Sequence, residues 1–231
     1  MSKLKWDEVG SRLYETGIDR VVLYPQSTDG KYPKGVAWNG VSSISESPSG
    51  AEANDIYADN QKYLSLLSKE TFSETLEAYM YPDEWEPCDG SLSPVKGVRI
   101  YQQARQSFGL CYRTIIGNDT AGEAYGYKLH LVYNCKATPS ERSYSTTSES
   151  PEAATFSYSI STTAIEVENY KPTSLITIDS TDYLKEDGGY EDAFIALEDV
   201  LYGTDSKEAT LPSPEDVFKI LKGETVENGA G

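Results

Sequence analysis

Histidine and cysteine are scarce: the 231 residues include one histidine, His130, and three cysteines, Cys88, Cys111 and Cys135. A nucleophilic triad needs a histidine base, and the only histidine lies in an apolar strand pattern, which favours a structural role. The cysteines are odd in number and lack C-x-x-C spacing, which argues against a disulfide framework and a zinc site. No nucleophile-elbow, dinucleotide or phosphate-loop motif occurs. The sequence therefore predicts no enzyme activity, no cofactor and no metal.

Long apolar runs are also missing, and no stretch approaches the roughly 20 apolar residues that a membrane helix requires. The N-terminus has two lysines followed by charged residues without an apolar segment, so we expect no secretory leader and synthesis in the cytoplasm. A glycan at the Asn-x-Thr of Asn118 is then not expected. With 38% hydrophobic residues and a mean hydropathy of -0.51, the chain can still bury a sizeable core.

Positive charge is sparse: 20 lysines and arginines face 37 acids, which gives a net charge of -17. Such a chain repels phosphate, so we expect no specific binding of nucleic acid. The charge is uneven, because residues 96–113 carry bases and no acid, whereas residues 182–208 are rich in acids. These blocks are either solvated surfaces or the two sides of a head-to-tail contact between copies. In the second case Arg99, Arg105 and Arg113 are candidate assembly contacts.

An acidic cluster lies between two prolines in a segment predicted to be a loop, and consists of Asp83, Glu84, Glu86 and Asp89. A solvated loop is the plain interpretation. The alternatives are a calcium site, which needs several oxygen ligands, and a glycosidase carboxylate pair. The segment lacks the spacing of an EF-hand loop, and the solvated interpretation is preferred.

Apolar and polar residues alternate in several segments, which predicts strands at residues 19–25, 35–45, 106–116, 127–135 and 174–179. Residues 56–82 are predicted to be mostly strand, with a helical turn as the alternative for residues 60–70. A helical period follows at residues 190–203 and 213–223, the second with Ser213 as N-cap and Pro214 at the first helical position. Strands followed by helices predict a mainly β protein, an antiparallel β-sandwich or barrel with short C-terminal α-helices. We expect an N-terminal arm (1–17), a β domain (18–180), a helical segment (181–222) and a flexible tail (223–231).

Residues 151–170 alternate almost without interruption and predict one strand with an apolar face and a hydroxyl face. The apolar face includes Phe156, Tyr158 and Ile160. The opposite face is polar but has no charge, whereas an ordinary solvated strand would carry lysine or glutamate; it consists of Ser157, Ser159, Ser161 and Thr163.

Tyrosine is abundant, with 18 tyrosines against 5 phenylalanines and 3 tryptophans. Tyrosine suits surfaces that become half-buried against another molecule, although sandwich cores with rim hydroxyls also use it. In the polar arm, Trp6 and Tyr14 are therefore candidate anchors on a neighbouring copy.

Four blocks of the sequence resemble the major tail (tail tube) proteins of long-tailed bacteriophages of Gram-positive hosts: RVVLYP, KGVAWNGVSSISESPSGAEANDIYADNQKY, EAYMYPDEWEPCDGS and QSFGLCYRTIIGNDTAGEAYGYKLHLVYNCKATPSERSYSTTSESPEAATFSYSISTT. The resemblance implies a β-sandwich of the tail-tube type that closes into hexameric rings. The rings stack into a tube that conducts DNA without binding it specifically. It further implies a place in the virion tail, assembly in the host cytoplasm, and tape measure, tail terminator and distal tail proteins as partners.

The hydroxyl face of residues 157–163 would then line the lumen or form a close contact between subunits. A second function remains open, since a carbohydrate-binding β-sandwich module would also expose tyrosine and tryptophan. Such a module would stay monomeric and bind glycans.

Overall fold

The computed structural model describes residues 3–144, 146, 153–185 and 189–224. These residues form twelve strands and three α-helices. The strands are β1 (Leu13–Pro25), β2 (Val36–Ala37), β3 (Val41–Glu46), β4 (Ala53–Ala58), β5 (Gln61–Leu67), β6 (Ser73–Ala78), β7 (Leu92–Val95), β8 (Val98–Ile100), β9 (Phe108–Asn118), β10 (Gly122–Ala137), β11 (Phe156–Thr162) and β12 (Leu175–Asp179). The helices are α1 (Glu86–Asp89), α2 (Asp192–Tyr202) and α3 (Pro214–Leu221).

One antiparallel sheet dominates the fold, with strand order β2-β1-β9-β10-β11-β6-β3. β10 is long enough to pair with two strands on the same edge: residues 128–132 pair with β12 and residues 135–137 pair with β11. Two hairpins, β4–β5 and β7–β8, form small sheets of their own. The prediction of a mainly antiparallel β protein with short C-terminal helices is therefore confirmed.

The middle of the sheet is buried on both faces, as β1 illustrates. Val21 and Leu23 point into one core, and Val22 and Tyr24, which alternate with them, point into a second core on the opposite face. Successive strand residues alternate between faces, so an apolar run without alternation is what a strand buried on both sides requires. β9 and β10 contribute to both cores in the same way.

The core that contains Val21 and Leu23, which we call the inner core, lies inside the curl of the sheet and is rich in aromatic residues. The ring centroid of Trp85 lies 4.7 Å from that of Trp38 and 5.0 Å from those of Phe108 and Tyr158. Tilted and edge-to-face contacts at these distances add to the gain from burying apolar area. β3 comes after β6 at the end of the sheet and lies opposite β1. The aromatic rings of the inner core help to hold it there.

The core on the opposite face, which contains Val22 and Tyr24, is called the outer core. It is closed by the C-terminal helices, whose apolar stripes pack on β1, β9 and β10. Phe194, Leu197 and Leu201 of α2 are fully buried there, and the Tyr24 hydroxyl donates to the Leu201 carbonyl over 2.5 Å. The start of α3 is as predicted, because the Ser213 hydroxyl accepts from the Asp216 backbone N–H and Pro214 occupies the first turn. The three cysteines are buried in the two cores: Cys88 and Cys135 in the inner core, Cys111 in the outer core.

Several predicted boundaries are wrong. Residues 35–45 form two strands, because Gly40 adopts a φ of +80° and the chain turns there. The segment after residue 82 is not a plain loop: it contains a 3-10 turn (Asp83–Trp85), α1 and β7. The described part of the chain has no helix with the length and apolar character needed to cross a bilayer.

Truncation of Phe194 to alanine should cost about 3–5 kcal/mol of unfolding free energy, because it leaves a cavity in the closed outer core. Ile195 is the matched control: it is the next residue of α2 and is exposed, so Ile195→Ala should change stability by less than about 1 kcal/mol. Urea unfolding followed by far-UV circular dichroism measures both. Equal effects of the two variants would contradict the assignment of α2 to the core.

Candidate assembly surfaces

Part of the outer sheet face is covered by hydroxyl groups instead of helices. On β11, Tyr158 and Ile160 point into the inner core, so Ser157, Ser159 and Ser161 point outward. They continue across the neighbouring strands in three rows: Ser157, Glu77 and Ser43; Ser159, Thr75 and Ser45; Ser161 and Ser73. We call this set the hydroxyl face.

The hydroxyl face exists because the helices cover only one half of the outer sheet face. The outer core draws on β1, β9, β10 and β12 and ends at the β10–β11 boundary. Lys136 lies opposite Ser161 across that boundary and is exposed. Thr163, the fourth residue predicted for the face, comes after the end of β11, where its backbone N–H donates to the Asn134 carbonyl.

The β4–β5 hairpin extends away from the main sheet with apolar residues on both of its faces. The pairs Ile56–Leu64 and Asn54–Leu66 lie on one face, and the pair Ala53–Leu67 lies on the other. Tyr63 is 72% exposed and Leu67 is 71% exposed. A two-stranded hairpin with no layer against it is marginally stable in water, so this one needs another surface to pack on.

The β7–β8 hairpin is shorter and also exposes apolar side chains. Leu92 pairs with Ile100 and Val95 pairs with Val98, and all four side chains are exposed. Tyr101, which follows β8, is exposed as well. The sequence-based prediction did not identify either hairpin as an assembly surface. The available signal was a strand-like segment with apolar residues on both of its sides, as in YLSLL at residues 63–67.

The N-terminal arm presents a third apolar surface. Trp6 is 74% exposed, and Leu4 and Val9 beside it are exposed too. The arm is attached at Gly10, whose N–H donates to Asp119 Oδ1 over 3.0 Å and whose carbonyl accepts from the Asn118 side chain over 3.2 Å.

Tyr14, the second candidate anchor of the arm, lies in β1 and is half-exposed. Its ring covers Gly117 on β9, where a Cβ atom would lie only 2.3 Å from the ring carbon Cζ. Tyr14 therefore already has a packing partner in its own chain.

The three arginines of the basic block all pair with carboxylates of the same chain. Arg99 pairs with Glu86 and lies 3.4 Å from Asp83. Arg105 Nη1 lies 3.5 Å from Asp89 Oδ1 and donates to the carbonyl of residue 137 over 3.1 Å.

Arg113 forms a two-pronged pair with Asp19 and lies 4.5 Å above the Tyr127 ring centroid. A charge reversal at any of these arginines would therefore disturb the fold as well as any contact with a second copy.

Three carboxylates of the acidic cluster, those of Asp83, Glu86 and Asp89, are the partners of Arg99 and Arg105 in these ion pairs. Glu86 is almost buried beneath Arg99, and Asp89 is shared between Arg105 and Arg142. Within the described residues, no group of three or more histidine, cysteine or acidic side chains has an arrangement that could hold a metal ion.

His130 belongs to a polar cluster at the open end of the inner core. Its ring stacks on Tyr112 with centroids 4.7 Å apart, and its Nε2 lies 2.9 Å from the Thr114 hydroxyl. The Tyr112 hydroxyl donates to Glu46 over 2.7 Å, and burial lowers the pKa of His130. These contacts fit the structural role that the sequence predicted for His130.

Glu74 is the unusual member of this region. Glu74 lies on β6, opposite Glu46 of β3, and is only 2% exposed. Neither of its carboxylate oxygens has a hydrogen-bond partner among the described residues. Burial, together with the charge of Glu46, raises the pKa of Glu74 to about 8. A carboxyl group in this position is held protonated at neutral pH.

No family model matches the sequence, and no curated protein matches it. Among solved structures, the chain is similar to a chain of the sheath-tube complex of an extracellular contractile injection system (PVC) in its extended state. The two are 14% identical over 69% of this chain and 88% of the other, with a TM-score of 0.33. A chain of the PVC sheath/tube terminator in the extended state is 12% identical over 76% of this chain and 99% of the other, with a TM-score of 0.33.

A chain of the baseplate of the anti-feeding prophage (AFP) is 9% identical over 76% of this chain and 97% of the other, with a TM-score of 0.34.

Replacement of Glu74 by glutamine should flatten part of the pH dependence of stability. The unfolded carboxyl group ionises near pH 4.3, whereas the folded one stays protonated to about pH 8, so the folded state holds the extra proton between these values. The contribution of the protonated Glu74 to the free energy of unfolding is complete below about pH 4 and is lost as the pH rises to 8. Urea unfolding should therefore show Glu74→Gln near the parent at pH 4.5 and a few kcal/mol more stable at pH 8.5.

Glu77→Gln is the matched control, because Glu77 lies on the same strand but points outward to the hydroxyl face. It should keep the parental loss of stability between pH 4.5 and 8.5. An unchanged pH dependence in Glu74→Gln would show that Glu74 is ionised in the folded state.

Proposed function

We propose that this chain is a structural subunit that assembles with copies of itself into stacked rings, hexameric as in the family it resembles, forming the tube of a phage tail. The observation that carries this proposal is the β4–β5 hairpin. It is an apolar two-stranded element without a supporting layer among the described residues of its own chain, and a second copy would supply that layer.

The second hairpin and the arm support the same proposal. Monomeric proteins rarely expose several apolar patches, and larger exposed patches mark interaction sites. Here the apolar residues of β4–β5, β7–β8 and the arm are all exposed. Contacts of this kind join different surfaces of neighbouring copies, so they can close a ring or extend a filament.

The hydroxyl face supports the further proposal of a DNA conduit. A surface along which DNA moves must not hold the phosphate backbone, and lysine and arginine are the residues that do so. The hydroxyl face is made of serine, threonine and one glutamate, with Lys136 at its border, on a chain of net charge -17. It would line the lumen or lie in a close contact between subunits.

The remaining parts of the proposal come from the sequence resemblance. They are a place in the virion tail, assembly in the host cytoplasm, and partnership with tape measure, tail terminator and distal tail proteins. The division into arm, β domain, helical segment and tail comes from the residue pattern and is part of the proposal as well. Trp6, Tyr14, Arg99, Arg105 and Arg113 belong to the proposal as assembly contacts. For the arginines, the proposed contact would use the donors left over from the pairs within the chain.

A carbohydrate-binding module is the second candidate, and one pocket favours it. Tyr101 and Tyr144 are exposed beside a pocket of about 700 Å³ that also contains Asp89, Arg105 and Arg142. Aromatic faces next to planar polar groups are suited to sugar rings. Glycan binding by a monomer, lost in Tyr144→Ala, would replace the assembly proposal.

Replacement of Leu64 and Leu66 by aspartate should prevent assembly without unfolding the subunit. Both side chains are exposed, so the folded monomer loses little, whereas a contact between copies would bury two charges in an apolar interface. Negative-stain images of concentrated protein should show rings or tubes for the parent and dispersed particles for the variant.

The control is Thr28→Asp together with Asn169→Asp, which adds the same two negative charges at exposed polar positions outside the hairpin. It should assemble as the parent does. Tubes formed by Leu64→Asp/Leu66→Asp at the parental concentration would remove the hairpin from the interface.

A further inference from the structure

Two glutamates face each other at the open end of the inner core. Glu46 ends β3 and lies directly opposite Glu74 of β6. Glu46 is partly exposed and lines a depression of about 790 Å³, which opens between β3 and the strands β1, β9 and β10. Glu74 is buried, because it lies on the same face of β6 as Leu76 and Ala78 of the inner core. Like charges opposite each other on paired strands are destabilising, so a proton on one of the two glutamates stabilises the pair.

The strands around the pair supply one hydrogen-bond donor, the hydroxyl group of Tyr112 on β9. This hydroxyl donates to Glu46 Oε1 over 2.7 Å, and neither oxygen of Glu74 has a hydrogen-bond partner among the described residues. A tyrosine hydroxyl carries one proton, so it cannot donate to a second carboxylate. The residue opposite Glu74 on its other neighbour, β11, is the apolar Ile160. An ionised carboxylate without donors is costly to bury, and this arrangement therefore needs a protonated Glu74.

Two basic groups lie at the same end of the core, and both are next to the exposed carboxylates. His130 Nδ1 lies 3.2 Å from Glu46 Oε1, and Lys128 Nζ lies 2.6 Å from Glu15 Oε2 of β1. Glu74 forms no ion pair within the described part of the chain. The charges around the pair therefore stabilise an ionised Glu46 and leave an ionised Glu74 without compensation.

We propose that this carboxyl pair is a pH-sensitive latch on the curl of the sheet, closed while Glu74 holds a proton and released when Glu74 ionises. The closed latch joins β3 to β9 through the hydrogen bond between Tyr112 and Glu46. An ionised Glu74 faces the charge of Glu46 without a donor, and it becomes hydrated when β3 and β6 separate from the ladder of β1, β9 and β10. The latch belongs to the single subunit, so its failure would leave the proposed assembly function untouched.

The topology confines this opening to β3 and β6. β3 is the last strand of the main sheet, where it pairs with β6, and the outer core that the C-terminal helices close includes neither strand. Elements held by few buried apolar contacts are the ones that open locally. The pair Glu46–Glu74 is also the end of the β3–β6 ladder, next to the bridge between Ser49 and Thr71 that precedes the β4–β5 hairpin. Release of the latch would therefore begin at the base of that hairpin.

The pH range of the latch follows from the two states of Glu74. A hydrated glutamate ionises near pH 4.3, whereas burial, together with the charge of Glu46, raises the pKa of Glu74 to about 8 in the closed form. The open form therefore gains on the closed form as the pH rises from about 4 to 8, and gains no further above 8. Burial lowers the pKa of His130, so His130 acts in the opposite sense, but only below about pH 6.5. The range between pH 6.5 and 8.5 thus reports on Glu74.

The slow alkylation of two buried thiols measures local opening. Cys135 lies in the inner core, where burial, and in addition the charge of Glu74, raises its pKa, whereas Cys111 lies in the outer core. Peptide mass spectrometry gives the rate of each thiol in the full chain. Each rate is divided by that of the same thiol in the urea-unfolded chain at the same pH. The normalised rate of Cys135 should rise at least tenfold from pH 6.5 to 8.5, and at pH 8.5 it should exceed that of Cys111 at least tenfold.

Three variants connect this opening to the carboxyl pair. Glu74→Gln removes the ionisation, so the rise in the Cys135 rate should shrink at least fivefold. Glu46→Gln removes the charge that opposes ionisation in the closed form and should also reduce the rise, which keeps the latch testable if Glu74→Gln fails to fold. Glu77→Gln is the matched control, because Glu77 lies on β6 but points outward, and it should keep the parental rise.

Two results would overturn the latch. Equal normalised rates of Cys135 and Cys111 would mean that both thiols react only when the whole chain unfolds. A Cys135 rate that does not rise with pH in the parent, or that rises equally in the parent, Glu74→Gln and Glu46→Gln, would mean that the carboxyl pair does not control the opening. A rise in the parent and in Glu77→Gln that is reduced in the other two variants supports the latch.

Discussion

The fold depends on the burial of the β1–β9–β10 ladder on both of its faces. A sheet buried on one side needs one apolar layer, whereas this ladder needs two: the curled half of the sheet on the inside and the helices α2 and α3 on the outside. The two helices are too short to cover the whole sheet, so they protect the central strands and do not extend over the outer face of β11, β6 and β3. The hydroxyl face follows from that division, because an uncovered strand face in water must be polar.

Apolar side chains outside the two cores are concentrated where the chain leaves the sheet. The hairpins and the arm project from its ends, and their exposed residues gain nothing from the subunit's own core. Copies that carry a net charge of -17 repel one another at long range, with a Debye length of about 8 Å at physiological salt. In the proposed assembly, cohesion between copies would therefore come from short-range apolar contact, which is the type of contact that the hairpins and the arm can make.

The strand and helix pattern could be predicted from the sequence because it depends on local periodicity. The cap of α3 at Ser213 is correct for that reason, and the strand predicted over residues 151–170 exists but is shorter, Phe156–Thr162. The partners of the arginines could not be predicted, because Arg113 pairs with Asp19 across 94 positions of the chain and only the sheet register brings them together. The blocks of opposite charge suggested a contact between copies, but such blocks contain no information about partners within one chain.

The hairpins were missed for a related reason. Strand alternation predicts which side chains share a face, but it does not predict whether a face is covered. YLSLL at residues 63–67 is as apolar as a buried strand, and its exposure depends on the absence of a layer above it in this chain. The tail-tube resemblance remains a prediction, which negative-stain images of the concentrated protein test.

Because all three cysteines are buried, we expect the folded chain to be unreactive toward thiol reagents. Burial raises the pKa of Cys88 and of Cys111 to about 12, and it raises that of Cys135 as well, so none of them forms a thiolate at neutral pH. A cysteine introduced at any exposed position of the hairpins or the arm would be the single reactive thiol of the folded chain. Dyes, spin labels or gold clusters could then be attached at one known point per subunit, and their spacing would measure the repeat of an assembled particle from outside.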